Sequence, residues 1–179
     1  MNIIEKAIIF AAKAHKEQTR KATEIPYITH PFMVGMLLQK ANCSEEVVAA
    51  GILHDTLEDT PTTYEDLSEN FGAPIAKLVK AASEPDKTLP WEERKRHTIE
   101  SLKGASLEEI QVITADKYHN LQSIQADLAI HGDHLWDRFN RGKNEQEWYY
   151  SSIVKQLAPR KVKFTLIEEL ENLVKEVFR

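Results

Sequence analysis

In the stretch Gly51-Ile52-Leu53-His54-Asp55-Thr56-Leu57-Glu58-Asp59-Thr60 an apolar run ends abruptly in one imidazole and three carboxylates. Adjacent helical side chains point about 100° apart, so His54 and Asp55 reach a common cation only if it lies beside them near a helix end. Imidazole nitrogen combined with carboxylate oxygen suits borderline-to-hard divalent ions such as Mn²⁺ or Fe²⁺. The single cysteine, Cys43, cannot build the thiolate set of a structural zinc site. A hydrogen-bonded helix terminus is the plain alternative for a lone His-Asp pair.

Further ligands have to come from elsewhere in the chain, and two positions stand out. His30 precedes Pro31 at a helix start, and Asp116 follows Ile113, Thr114 and Ala115 on what the apolar pattern makes a buried surface. A carboxylate there is costly unless it is paired or bound to a metal. Taken singly, His30 also fits a backbone-bonded helix start, and Asp116 a pair with a neighbouring Lys or Arg. Together with His54 and Asp55 they form a candidate set for one cation. Such a site suits hydrolysis of a phosphoester or phosphoanhydride, because a divalent ion neutralises the charge that repels nucleophiles and lowers the pKa of bound water. Glu58, one turn beyond Asp55, is placed to accept a proton, and Asp59 to fix the water or a substrate hydroxyl.

The net charge of −5 disfavours a general binder of duplex nucleic acid, which needs a basic surface to displace counterions. Local basic clusters survive that argument. Arg20 with Lys21, and Arg94, Lys95 and Arg96, are suited to a small polyanion. Lys87, Arg94 and Arg96 are candidates to grip distal phosphates, or else form a solvated helix face. Trp148, Tyr149 and Tyr150 offer either a platform for a purine ring or core packing, with Tyr149 the candidate substrate contact. His119 and His131 are expected to be structural or exposed. No apolar run is long enough to cross a bilayer and no export signal is evident, so a cytoplasmic protein with no membrane association is expected. A lone cysteine fits that reducing compartment.

The elements that must position these residues are helical throughout, with 42% hydrophobic and 28% charged residues and few Gly or Pro. One domain over 1–179 is expected. Asn2 and Glu5 cap a first helix running to about Lys16, and Pro31 suits a first helical position of the second. Ser44 caps a third, ending near His54 and Asp55. Thr62 and Glu65 form a capping pair for a short helix Thr63 to Phe71, which Gly72 stops, and Pro74 opens the next. After a loop from Ser83 to Pro90 come a polar helix from Trp91 to Lys103 and a long helix capped by Ser106 and Glu109. Ile130 to Gly142 reads as an irregular connection before helices at Lys143 to Leu157 and about 163–178.

Several motifs in order carry a resemblance: Ala14-His15 then Gln18, Arg20-Lys21, Pro26-Tyr27-Ile28-Thr29-His30-Pro31, Leu53 to Thr60, Phe71-Gly72, and Ala115-Asp116-Lys117-Tyr118-His119-Asn120-Leu121. Over about residues 3–157 the chain resembles the HD hydrolase domain of RelA/SpoT proteins, and most of all the stand-alone small alarmone hydrolases. The resemblance implies an all-α HD-domain helical bundle. It implies that His30, His54, Asp55 and Asp116 hold one Mn²⁺, that Glu58 and Asp59 orient and activate the attacking water, that Arg20 and Lys21 line the nucleotide pocket, and that Asn120 contacts the sugar. The implied reaction is hydrolysis of the 3′ diphosphate of (p)ppGpp, giving pyrophosphate and GDP or GTP from a guanine nucleotide substrate. Two other readings remain: an HD phosphohydrolase for a nucleoside monophosphate or NADPH, and a catalytically idle nucleotide sensor.

Overall fold

A computed structural model describes every residue except Ala22 and Pro85. It is all-helical: among the described residues there is no strand, only an isolated bridge between Thr19 and Pro26. No helix is long and apolar enough to cross a membrane. The chain divides into two compact units, Met1–Asp86 with Ser106–Asp116, and Lys87–Ala105 with Lys117–Arg179.

In the first unit, α1 (Ile3–Ala14) begins where the Asn2 side chain accepts the Glu5 N–H and ends two residues short of the expected Lys16. The next helix, α2 (Thr29–Lys40), starts two residues before Pro31, because Thr29 and His30 already close turns onto Pro26 and Tyr27. Pro31 still falls within the first turn, where an N–H has no helical partner. Ser44 caps α3 (Glu45–Leu53), in which every residue from Val47 to Leu53 is buried. A helix apolar on all sides belongs at the centre of a bundle, and α1 and α2 both pack on it.

The crossing of α2 and α3 depends on two missing side chains. A Cβ on Gly35 of α2 would collide with Ile52, and one on Gly51 of α3 with Leu38. Each glycine is a notch that accepts a large side chain from the opposite helix, which lets the two backbones approach closely. The start of α2 carries His30 and the end of α3 leads into His54, so this crossing sets the separation of the two imidazoles.

A single turn, α4 (Thr56–Asp59), follows. The expected Thr62–Glu65 capping pair is displaced by one residue. Thr63 and Asp66 form the reciprocal box that starts α5 (Tyr64–Phe71), because the Thr62 hydroxyl is taken by that of Thr60 at 2.8 Å. Gly72, at φ +84°, ends α5, and Pro74 lies in the first turn of α6 (Ala73–Ala82).

The second unit contains α7 (Trp91–Ser101), which stops two residues before the expected Lys103. The long α8 (Leu107–His131) starts at the Ser106–Glu109 pair and supplies residues to both units. The segment expected to be irregular instead contains a 3₁₀ helix, Gly132–Arg138. Gly132 at φ +58° breaks α8, and burial of Leu135 and Trp136 then orders the turns, Trp136 stacking on Phe178 at 5.6 Å. The helices α9 (Lys143–Leu157) and α10 (Leu166–Val177) complete the chain.

Filling one notch should damage the bundle measurably. Gly51→Val is expected to cost about 1–3 kcal/mol through overpacking, lowering Tm by about 2–4 °C per kcal/mol. Differential scanning calorimetry that finds an unchanged Tm contradicts the tight crossing.

Candidate metal centre

Three backbone segments deliver four polar side chains to one place in the first unit. His30 comes from the first turn of α2, His54 and Asp55 from the turn between α3 and α4, and Asp116 from α8. His30 Nε2 lies 3.1 Å from Asp116 Oδ1 and 3.6 Å from Asp55 Oδ2. His54 Nε2 lies 2.9 Å from Asp55 Oδ2 and 3.5 Å from Asp116 Oδ1. Ligand atoms of His30, His54 and Asp116 all fall within 4.8 Å of one another. Both histidines are 1% exposed and Asp116 is 7% exposed.

The geometry fits a cation. Donors at right angles about an ion with bonds of about 2.1 Å sit about 3 Å apart, and the four N···O separations cluster just around that value. His54 Nδ1–H donates to the Gly51 carbonyl at 2.7 Å, which fixes the tautomer and leaves Nε2 with its lone pair. That Nε2 is buried against the Asp55 and Asp116 carboxylate oxygens, which call for a cation or a proton between them. Two carboxylates facing two imidazoles match a divalent ion in charge and in ligand type once His54 has given up its proton.

Electrostatics in the bare cluster point the same way. Burial, opposed by the Asp116 bond, pushes His30 below the usual imidazole range, toward the neutral form that binds metals. Burial also disfavours a charged His54, but the Asp55 and Asp116 carboxylates outweigh it and raise its pKa. Burial would raise Asp55, yet the facing His54 draws it down to about 2. A proton thus occupies the place where a cation would sit, and a cation has to displace it.

The acidic pair stands on α4. The Glu58 carboxylate is half-buried and accepts the Glu84 N–H at 3.0 Å. Burial raises its pKa, with the Asp55, Glu84 and Asp59 carboxylates adding to the effect and the Glu84 N–H opposing it. Three residues that the sequence analysis gave no role lie around this pair. The Tyr27 hydroxyl donates to Asp55 Oδ2 at 2.6 Å and lies 3.4 Å from Asp59 Oδ2. Burial among those carboxylates raises the Tyr27 pKa, so the hydroxyl keeps the proton it donates. Gln18 Nε2 donates to the Asp59 carbonyl at 2.5 Å, and the His15 ring packs 5.1 Å from that of Tyr27. The available signal was a cluster of polar and aromatic residues between α1 and His30 with no apolar period.

The remaining expected contacts are placed as follows. Arg20 is half-buried and Lys21 exposed in the turn closed by the Arg20 N–H on the Ile25 carbonyl. In the second unit, Lys87 is exposed, Arg94 Nε donates to the Leu89 carbonyl at 3.2 Å, and Asn120 is half-buried on α8. Arg96 lines an open groove of about 290 Å³ with Trp91, Glu92, Asn144, Glu145 and Trp148. Tyr149 is 3% exposed, with the Lys95 and Lys117 ammonium groups 4.9 and 5.9 Å from its ring centre. His119 is half-buried and His131 exposed.

A family model described as "HD domain" matches residues 7–143, well over half of the chain and including all four clustered residues. The chain belongs to the HD-domain family. This HD protein is 34% identical over 173 residues to the bifunctional (p)ppGpp synthase/hydrolase SpoT of Escherichia coli K12, covering 93% of the chain and 23% of SpoT. It therefore spans about a quarter of that relative's length. It is 38% identical over 125 residues to guanosine-3′,5′-bis(diphosphate) 3′-pyrophosphohydrolase MESH1 of Danio rerio, covering 68% of the chain and 69% of MESH1. A solved structure described as a metazoan ortholog of SpoT that hydrolyzes ppGpp superposes with a TM-score of 0.82 at 27% identity, covering 98% of the chain and 96% of the other.

Cation binding by this HD protein is expected to release protons and to weaken as pH falls, because His54 must give up the proton its raised pKa retains. Calorimetric titration with Mn²⁺ in buffers of different ionisation enthalpy checks this; a proton-neutral, pH-independent affinity contradicts it. Tyr27→Phe removes a donor to Asp55 and should weaken Mn²⁺ binding about 10–100-fold.

Proposed function

We propose that the chain is a Mn²⁺-dependent hydrolase of the 3′ diphosphate of (p)ppGpp, releasing pyrophosphate and leaving GDP or GTP. The observation that carries this reading is the convergence of His30, His54, Asp55 and Asp116 beside a raised, half-buried Glu58. The activities named for the SpoT and MESH1 relatives support the choice of substrate.

His30 and His54 through Nε2, and Asp55 and Asp116 through one carboxylate oxygen each, would hold the cation. When bound, the cation neutralises phosphate charge and makes water acidic enough to attack at neutral pH. Glu58 takes the proton from the attacking water, a task suited to a carboxylate whose basicity burial has raised. Asp59 holds that water in line with the 3′ phosphorus; the water oxygen bonds to that phosphorus as the O3′–P bond breaks, the ribose 3′ oxygen leaves as a hydroxyl with the proton Glu58 took up, and the diphosphoryl group departs as pyrophosphate. Arg20 and Lys21 add positive charge for the phosphates, with Lys87, Arg94 and Arg96 as further phosphate contacts. Asn120 offers an amide to the ribose, whereas Tyr149, 3% exposed, is core and not a nucleotide contact. A cytoplasmic setting supplies both the guanine nucleotide and the reducing conditions suited to the free Cys43.

Purified protein with Mn²⁺ is expected to free pyrophosphate from ppGpp far faster than it frees orthophosphate from nucleoside monophosphates or NADPH. EDTA should abolish the reaction and added Mn²⁺ restore it. Glu58→Gln should lower kcat about 10²–10⁴-fold with the helical circular dichroism spectrum unchanged. Orthophosphate release alone points to another substrate, and no turnover on any nucleotide in the presence of Mn²⁺ points to a sensor.

A further inference from the structure

The turn that carries the acidic pair cannot hold itself in place. A helix of four residues lies at the nucleation limit, where few bonds are gained for many fixed dihedrals. Its carbonyl ends need partners from outside. Within α4 and its flank, the Asp59 N–H donates to the Asp55 carbonyl at 2.9 Å and the Thr60 N–H to the Thr56 carbonyl at 3.2 Å. The Asp59 carbonyl accepts from Gln18 Nε2 at 2.5 Å.

Gln18 performs this task only with its amide one way round. Turned over, its oxygen would face the Asp59 carbonyl, two acceptors in contact. His15 sets the orientation: its Nδ1 lies 2.7 Å from Gln18 Oε1, so an N–H there directs the amide NH₂ toward Asp59. His15 is itself 1% exposed, and its ring packs against Tyr27, whose hydroxyl reaches the Asp55 and Asp59 carboxylates. From the end of α1, one buried imidazole thus reaches the acidic turn by two routes, through an amide to its backbone and through a phenol to its side chains.

We propose that His15 and Gln18 are positioning residues that lock the α4 turn, and with it Glu58 and Asp59, in the orientation needed for water activation. Gln18 reaches only the α4 backbone, so its loss affects turnover and leaves metal binding largely intact, whereas His15 also supports Tyr27 and through it Asp55. The inference rests on the hydrolase reading for its kinetic consequence and on the geometry alone for its structural one.

The test compares the wild-type chain with Gln18→Met, His15→Leu and His15→Asn, whose side-chain amide nitrogen can stand in for Nδ1. Expected for Gln18→Met and His15→Leu is a kcat for ppGpp with Mn²⁺ lowered about 10–100-fold, the range for loss of an orienting partner, and for Gln18→Met KM and Mn²⁺ affinity within about threefold. His15→Asn should recover most of the lost kcat. In metal-free protein, hydrogen exchange at the Asp59 and Thr60 amides should speed up about tenfold in Gln18→Met. Should His15→Leu fail to fold, Gln18→Met carries the test, since it alters a half-exposed side chain at nearly constant volume. Wild-type exchange and wild-type kcat in Gln18→Met overturn the inference, as does a loss of kcat that merely follows lost Mn²⁺ affinity. A wild type without activity on ppGpp refutes the hydrolase reading instead, and the exchange rates then decide the structural role by themselves.

Discussion

Two buried imidazoles, one buried carboxylate and one half-buried carboxylate lie within a few ångströms of one another, and charge in such a place is costly unless something balances it. Without a cation the cluster compromises by holding a proton between His54 and Asp55, which raises one pKa and depresses the other. A divalent ion would balance both carboxylates at once and take, in place of that proton, the Nε2 that His54 presents while its Nδ1 is bonded to Gly51. Removing any one of the four side chains leaves the others imperfectly paired, a state worse than a wholly apolar core.

The rest of the first unit can be understood as the means of holding that arrangement. The glycine notches let α2 and α3 approach closely enough to bring the two imidazole rings to 5.0 Å, nearly perpendicular. The apolar surround of α3 keeps bulk water from screening the charges, and α8 inserts Asp116 between buried Ala115 and half-buried Lys117. The single turn α4 follows Asp55 directly, so the residues proposed to bind metal and those proposed to handle the proton share one short piece of backbone. Orientation of that piece is controlled from outside it, by Tyr27 and Gln18.

How legible this was in the sequence depended on whether each signal was local. His54 and Asp55 stood out because they end an apolar run, and Asp116 because a carboxylate interrupts a buried face; the structure buries His54 and Asp116 and leaves Asp55 half-buried. Helix starts marked by Ser44 and by Ser106 with Glu109 were legible for the same reason, since the capping partner lies three residues away. The start of α5 was misplaced because the spacing is satisfied equally by Thr62 with Glu65 and Thr63 with Asp66, and only a bond between the Thr60 and Thr62 hydroxyls separates the two registers. The 3₁₀ turns after Gly132 were missed because tertiary burial of Leu135 and Trp136 orders them, not local propensity. Tyr27, Gln18 and His15 had no legible role, because their partners lie 28 to 41 positions away for the two that reach Asp55 and Asp59.

The central claim is that one cation is shared by four named atoms. The most direct measurement is anomalous diffraction at the manganese edge from crystals grown with Mn²⁺. The account predicts a single strong peak within about 2.0–2.3 Å of His30 Nε2, His54 Nε2, Asp55 Oδ2 and Asp116 Oδ1. Manganese bound away from these atoms, or a cluster that stays metal-free at saturating Mn²⁺, would contradict it.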